Sequence, residues 1–309
     1  MAGTMNSTGH TKTIYIIGGP TAGGKSAHAL ELAQQHDGVI INADSMQIYD
    51  GLPTLTAQPS TEDKKAAPHT LYGTLHPNES CSAGNWREIV EPLITEILAA
   101  GKTPIVVGGS GLYINALIKG LSPIPDIPDD IRQAASNKQQ ELGNPAFHAE
   151  LAKLDPVMAA RLDPLNKARL VRAWEVLEAT GKSLAEWQEL PPLGPPDDWK
   201  FDVTLVMPER EVLYARCNQR FEWMLENGAL EELESFNKDV EDGKISKTAL
   251  LRHALGAKPL SDYLKGKLSK EEAVEKGQSE TRQYAKRQVT WFRHQIKNNK
   301  NVANITQIP

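Results

Sequence analysis

The chain is poor in the features that would make several simple readings possible. Its 309 residues hold only two cysteines, Cys81 and Cys217, and no C-x-x-C pair. That excludes a zinc knuckle and a dithiol redox motif, and two lone thiols fit a reducing cytoplasm. No apolar run approaches the ~18 residues that a membrane-spanning helix needs. The first residues, MAGTMNSTGHTK, are small and polar and lack the apolar stretch of a signal peptide. Excess positive charge is missing too: Lys plus Arg is 34 against 39 Asp plus Glu, a formal net charge of −5. A blanket nucleic-acid coat is therefore excluded, although a local basic face is not. There is no internal repeat. Hydrophobic residues at 40% and charged residues at 24% lie within the globular range, so wholesale disorder is excluded.

What is present begins with a strand. Thr13–Ile17 is β-branched and aromatic, and Gly18-Gly19-Pro20 follows it. A helix then carries Ala27, Leu30 and Ala33 on one face and stops at Gly38. Val39–Ile41 reads as a second strand, ending at Asn42-Ala43-Asp44-Ser45. Ile89, Leu93, Ile94, Ile97 and Leu98 recur at helical spacing before Gly101, and Pro104–Val107 is a third strand ending in Gly108-Gly109-Ser110-Gly111. This alternation predicts a parallel sheet with helices on both faces.

The texture changes near Leu121. Pro123, Pro125 and Pro128 make a stiff connection, and Asp129–Leu190 reads as helix interrupted at Gly143, Asp155 and Asp163. Phe201–Met207 returns as a strand, and the remainder from Glu209 reads as mostly helical. The expected organisation is α/β: a discontinuous phosphate-loop core over 12–120 and 200–309, with a helical insertion over 121–199.

Gly19-Pro20-Thr21-Ala22-Gly23-Gly24-Lys25-Ser26 fits G-x-x-x-x-G-K-[ST], between a strand and a helix as that motif requires. Its glycines let backbone N–H groups converge on an anion. The helix N-terminus adds partial positive charge, Lys25 a full one, and the Ser26 hydroxyl suits Mg²⁺. The motif predicts a polyphosphate site without saying which polyphosphate. Asp44 stands at the carboxyl end of the second strand, where ligands gather in open parallel sheets. It could cap the next segment, hold Mg²⁺ through water, or act as a general base. No N-K-x-D element supports a GTPase, and the third strand lacks the terminal acid of a motor ATPase. A small-molecule kinase using ATP and a transferase with a diphosphate leaving group remain.

The order and spacing of several further segments decide between them. GGPTAGGKS is followed by Asn42–Tyr49 (NADSMQIY), Val107–Tyr113 (VGGSGLY), Arg169–Ala173, Arg216–Leu225 (RCNQRFEWML) and Thr281–Arg293 (TRQYAKRQVTWFR). Over nearly its whole length the chain resembles the tRNA dimethylallyltransferases, the isopentenyl-diphosphate:tRNA transferases. The resemblance implies transfer of a dimethylallyl group from dimethylallyl diphosphate to N6 of adenosine 37 in the tRNA anticodon loop, with Mg²⁺. It implies that Gly19 to Ser26 and Arg220 hold the diphosphate, and that Asp44, Ser26 and Arg220 serve catalysis. It also implies tRNA contacts at Asp44, Ser45, Met46, Gln47, Ser110, Arg132, Arg169, Arg172, Arg282, Lys286 and Arg287. Gln58 departs from the pattern, since the family carries a lysine there.

The chemistry is consistent with these residue types. Breaking the allylic C–O bond puts negative charge on diphosphate, where cations help. The adenine amine becomes acidic as its new bond forms, so a carboxylate is useful, and Asp44 is the candidate base. Leu213, Cys217, Phe221 and Leu225 trace an apolar stripe beside Arg216 and Arg220. Arg282, Lys286, Arg287, Arg293 and Lys297 form a stretch without an acid, with Tyr284, Trp291 and Phe292 interleaved. Trp86, Trp174 and Trp223 are expected in cores or interfaces, and Trp199 beside the second proline cluster. A cytoplasmic monomer is expected.

Overall fold

The computed structural model describes residues 12–309. They form two compact units: the described residues through Lys119 together with Pro195–Pro309, and Gly120–Gly194. The first unit runs β1 (Lys12–Gly18), α1 (Lys25–Gln35), β2 (Gly38–Asn42), α2 (Thr61–Ala66), β3 (His69–Thr70), α3 (Ala83–Ala99), β4 (Thr103–Gly108) and α4 (Gly111–Lys119). The second unit contributes α5 (Asp129–Leu154), α6 (Pro156–Arg161), α7 (Lys167–Thr180) and α8 (Leu184–Glu189). The chain then re-enters the first unit with β5 (Trp199–Val206), α9 (Arg210–Glu226), α10 (Ala229–Glu241), α11 (Ala257–Leu264), α12 (Lys270–Gln295) and β6 (Val302–Ile308).

The six strands lie in the order β3-β2-β4-β1-β5-β6 and every pairing is parallel. Alternation along each strand supplies both faces of the sheet. Ile14, Ile16, Ile41, Val106 and Val203 join one core, which also holds Trp86, Val90, Ile114, Leu117, Phe236 and Phe292. Ile17, Ile40, Ile105, Val107 and Val206 point to the other face, where the small side chains of Ala29 and Ala33 let α1 lie close. Helix α3 starts at a capping box between Ser82 and Asn85, and its buried Trp86, Val90, Ile94 and Ile97 keep helical spacing. A buried side chain of this size contributes about 1.5–3 kcal/mol relative to exposure.

The helical unit has a core of its own around Phe147, Leu151, Leu170, Trp174 and Val176, with the Phe147 and Trp174 rings 5.0 Å apart. The predicted breaks are present. Gly143 has non-helical angles within α5, Asp155 caps α6 by accepting from the Met158 N–H at 2.9 Å, and Asn166 caps α7.

The part from Glu209 is mostly helical, as expected, in α9, α10, α11 and α12, and ends in the edge strand β6 beside β5. Trp199 lies beside the second proline cluster, its N–H donating to the Pro196 carbonyl at 3.1 Å, and is 2% exposed in the sheet core. One expectation needs correction. In the α9 stripe Met224 is buried and Leu225 is only half-buried. Among the described residues, no helix is long and apolar enough to cross a membrane.

Candidate active site

The phosphate loop joins β1 to α1 at the carboxyl edge of the sheet. Gly24 precedes α1 with φ of 103°, a left-handed conformation in which a side chain would be strained. The Gly23 N–H donates to the Pro20 carbonyl at 3.1 Å, closing the curl. Lys25 Nζ donates to the same carbonyl at 2.7 Å, so the charge is folded over the loop it serves. Burial brings the Lys25 ammonium down to about 8. Asp44 opposes that shift and the Arg220 charge adds to it.

The sign of this shift gives a pH prediction. Lys25 is charged below pH 8 and loses its proton as pH rises through that value. The affinity of the loop for inorganic diphosphate should therefore fall by up to about tenfold per pH unit above 8, and level off below about pH 7. Calorimetric titration across this range checks it, and a constant affinity from pH 7 to 9 would refute the assignment.

Asp44 is set by its neighbour. Asn42 is fully buried; its Nδ2 donates to the carbonyls of Leu71 at 2.9 Å and Asp44 at 3.0 Å, and its Oδ1 accepts from the Asp44 N–H at 2.8 Å. Removing that amide would leave buried partners unpaired, at about 1–3 kcal/mol each. Asp44 Oδ1 in turn accepts from the Met46 N–H at 2.9 Å. The capping reading of Asp44 is thus realised through one oxygen, while Oδ2 lies beside Gly109. Ser110 Oγ accepts from the Ser45 N–H at 2.8 Å and so ties the end of β4 to the end of β2. Gln47 Nε2 donates to the carbonyls of Thr56 and Ala57, both at 2.8 Å. Glu232 holds that same loop by accepting from the N–H groups of Thr54 and Leu55 at 2.8 and 2.9 Å. Gln58 is built into the loop: its Nε2 donates to the Tyr49 carbonyl at 2.8 Å.

Helix α9 closes the other side. Arg220 donates to Thr21 Oγ1, and burial pulls its guanidinium below the usual arginine value. A surface ion pair with Glu222 or Glu226 is therefore not the role of Arg220. Arg216, to which the sequence reading gave no role, donates to the Gly23 carbonyl at 3.2 Å. Its position four residues before Arg220 on one helix was the available signal.

Two cavities meet at these groups. One, of about 480 Å³, is lined by the loop from Thr21 to Ser26, with Tyr72, Arg216, Gln219 and Trp223. The second, of about 270 Å³, is lined by Met46, Leu55, Cys217, Phe221, Met224, Tyr284 and Arg287 among others. Thr21, Asp44, Gln47 and Arg220 line both. Burial and the Asp44 charge push the phenols of Tyr72 and Tyr284 far above the ordinary tyrosine range, so both stay protonated donors. Of the two places expected for Trp223, a core and an interface, the core is excluded: it is 52% exposed and lines the larger cavity.

The remaining expected residues fall in two places. Arg282 is half-buried on α12 and donates to Asn218 Oδ1 at 2.6 Å, whereas Lys286 and Arg287 are exposed. In the helical unit Arg132 and Arg169 are exposed, and Arg172 pairs with the buried Glu175 at 2.6 Å.

The donors also fit a magnesium ion. The Ser26 hydroxyl is exposed on the same cavity as the Asp44 carboxylate. Among the described residues no cluster of three or more His, Cys, Asp or Glu could hold a metal unaided. The Ser26 hydroxyl, with oxygens of a bound polyphosphate and water, makes the sparse oxygen donor set that Mg²⁺ accepts.

Residues 47–295 match the family model described as IPP transferase, and residues 12–78 match isopentenyl transferase. The chain is 48% identical over 281 residues to a tRNA dimethylallyltransferase of Paramagnetospirillum magneticum, covering 91% of this chain and 88% of that one. It is 47% identical over 286 residues to the tRNA dimethylallyltransferase of Rhodospirillum centenum, covering 93% and 90%. Its fold is similar to a crystal structure of the tRNA isopentenylpyrophosphate transferase from Bacillus halodurans, with TM-score 0.62, 35% identity, and 96% and 89% of the two chains covered. It is also similar to a eukaryotic dimethylallyltransferase acting on tRNA, with TM-score 0.75, 28% identity, and 91% and 70% covered.

Proposed function

The chain belongs to the IPP transferase family of tRNA dimethylallyltransferases, and from that premise we propose that it transfers a dimethylallyl group from dimethylallyl diphosphate to N6 of adenosine 37 in the tRNA anticodon loop. The observation that carries the reading is the meeting of two cavities at Asp44 and Arg220. One is floored by the phosphate loop and suits an anion. The other is lined by apolar and aromatic side chains and Arg287, and suits an unstacked base.

In this reading the adenine N6 lone pair attacks the allylic carbon. The C–O bond breaks and its electron pair leaves on diphosphate. Lys25, the loop N–H groups and Arg220 stabilise that charge as it appears. Asp44 takes the N6 proton through Oδ2, since Oδ1 is held by the Met46 N–H. A magnesium ion bound by Ser26 and the substrate oxygens would neutralise further charge on the departing diphosphate.

The exposed Lys286 and Arg287 on α12 offer phosphate contacts beside the second cavity, and Arg132 and Arg169 offer others on the helical unit. Arg282 and Arg172 act through their partners Asn218 and Glu175. Action as a monomer in the cytoplasm, where tRNA is found, is part of this proposal. The kinase alternative is not favoured, because the relatives of this chain are transferases acting on tRNA.

The test combines protein, Mg²⁺, unmodified tRNA and either dimethylallyl diphosphate or ATP. The expected result is a tRNA mass gain of one dimethylallyl group with the former alone, mapping to an adenosine 3′ of the anticodon. No gain with the allylic donor would refute the reading.

A further inference from the structure

Gln288 lies on α12, 5% exposed, and both ends of its amide are used at long range. Its Oε1 accepts from the Thr21 N–H at 2.8 Å, and its Nε2 donates to the Gly109 carbonyl at 2.8 Å. One side chain thus spans from the phosphate loop to the tip of β4. The Thr21 that it holds is the residue whose hydroxyl accepts from Arg220. A Cβ on Gly109 would fall 2.3 Å from Gln288 Nε2, so the second glycine of Gly108-Gly109-Ser110-Gly111 makes room for this amide.

We propose that Gln288 is a positioning residue for diphosphate binding: it fixes Thr21, and through Thr21 the aim of Arg220 at the leaving group. The inference rests on the prenyl-transfer reading and deepens it. A planar amide suits the task because it offers one acceptor and one donor in fixed geometry, and the site demands one of each. Gln288 touches neither reacting atom. Its effect is on alignment, to which a charged anion site is sensitive. The same α12 turns Lys286 and Arg287 outward, so a helix with a cationic outer face reaches the phosphate loop from its inner face.

Gln288→Met keeps the length and removes both hydrogen bonds. It should raise the KM for dimethylallyl diphosphate at least about tenfold while shifting the KM for tRNA less than about twofold. A purely structural role would shift both. Thr21→Val removes the Arg220 acceptor. In that background Gln288→Met should add no more than about twofold, because both changes act through one contact. Multiplicative effects, or an unchanged KM for the allylic donor, would overturn the proposal. Hydrogen exchange of the Thr21 amide in the unaltered protein gives a second readout that needs no variant. Slow exchange is expected, and exchange as fast as in solvent-exposed loops would overturn the assignment. Loss of transfer by the unaltered protein would instead sink the prenyl-transfer reading, and this one with it.

Discussion

Asp44→Ala is expected to lower kcat by about 10²- to 10⁴-fold while leaving tRNA affinity within about threefold, the range for removal of a general base. The carboxylate sits where the two cavities meet, with Oδ1 occupied by the Met46 N–H and Oδ2 beside Gly109. The adenine amine is a weak nucleophile because its lone pair is delocalised. Its proton must leave as the C–N bond forms, so the loss falls on the chemical step rather than on binding. Asp44→Asn is the sharper variant, since it keeps the Oδ1 acceptor for Met46 and removes only basicity. Single-turnover transfer at the unaltered rate by either variant would exclude the base role.

Arg220→Ala should lower kcat/KM for dimethylallyl diphosphate by about 10²- to 10³-fold, most of it visible as a raised KM. Its side chain is half-buried, is held at Thr21 Oγ1, and lines both cavities. Partial withdrawal from water strengthens a charge toward a departing anion. Arg220→Lys should recover only part of the loss, since an ammonium cannot contact Thr21 and diphosphate with one planar fork. Steady-state kinetics varying the allylic donor at saturating tRNA measures both variants. An unchanged KM would remove Arg220 from the diphosphate site.

The parts of the site that could be read from the chain are those whose chemistry is local. The phosphate loop announces itself by eight consecutive residues between a strand and a helix, and Asp44 by its place at a strand end. The role of Arg220 came from the family resemblance rather than from its helical stripe, and its partner Thr21 was not legible, since 199 residues separate the two. Gln288 was invisible for the same reason: its two hydrogen bonds span 267 and 179 residues. β6 was missed because Ala303, Asn304, Thr306 and Gln307 dilute its apolar pattern, and pairing with β5 is what makes it a strand. Trp223 was open between a core and an interface, and it stands at a cavity because α9 turns Phe221 and Met224 inward instead. Gln58, singled out by the resemblance as a departure, is tied into the loop by its amide, which donates to the Tyr49 carbonyl.

The most direct test of the account is a crystal grown with Mg²⁺ and equal amounts of dimethylallyl diphosphate and ATP. The account predicts an allylic diphosphate in the Gly19–Ser26 cradle, its oxygens on the loop N–H groups, Lys25 and Arg220, and its carbon chain turned toward Asp44. An adenine triphosphate in that cradle, with its terminal phosphate toward Asp44, would contradict it.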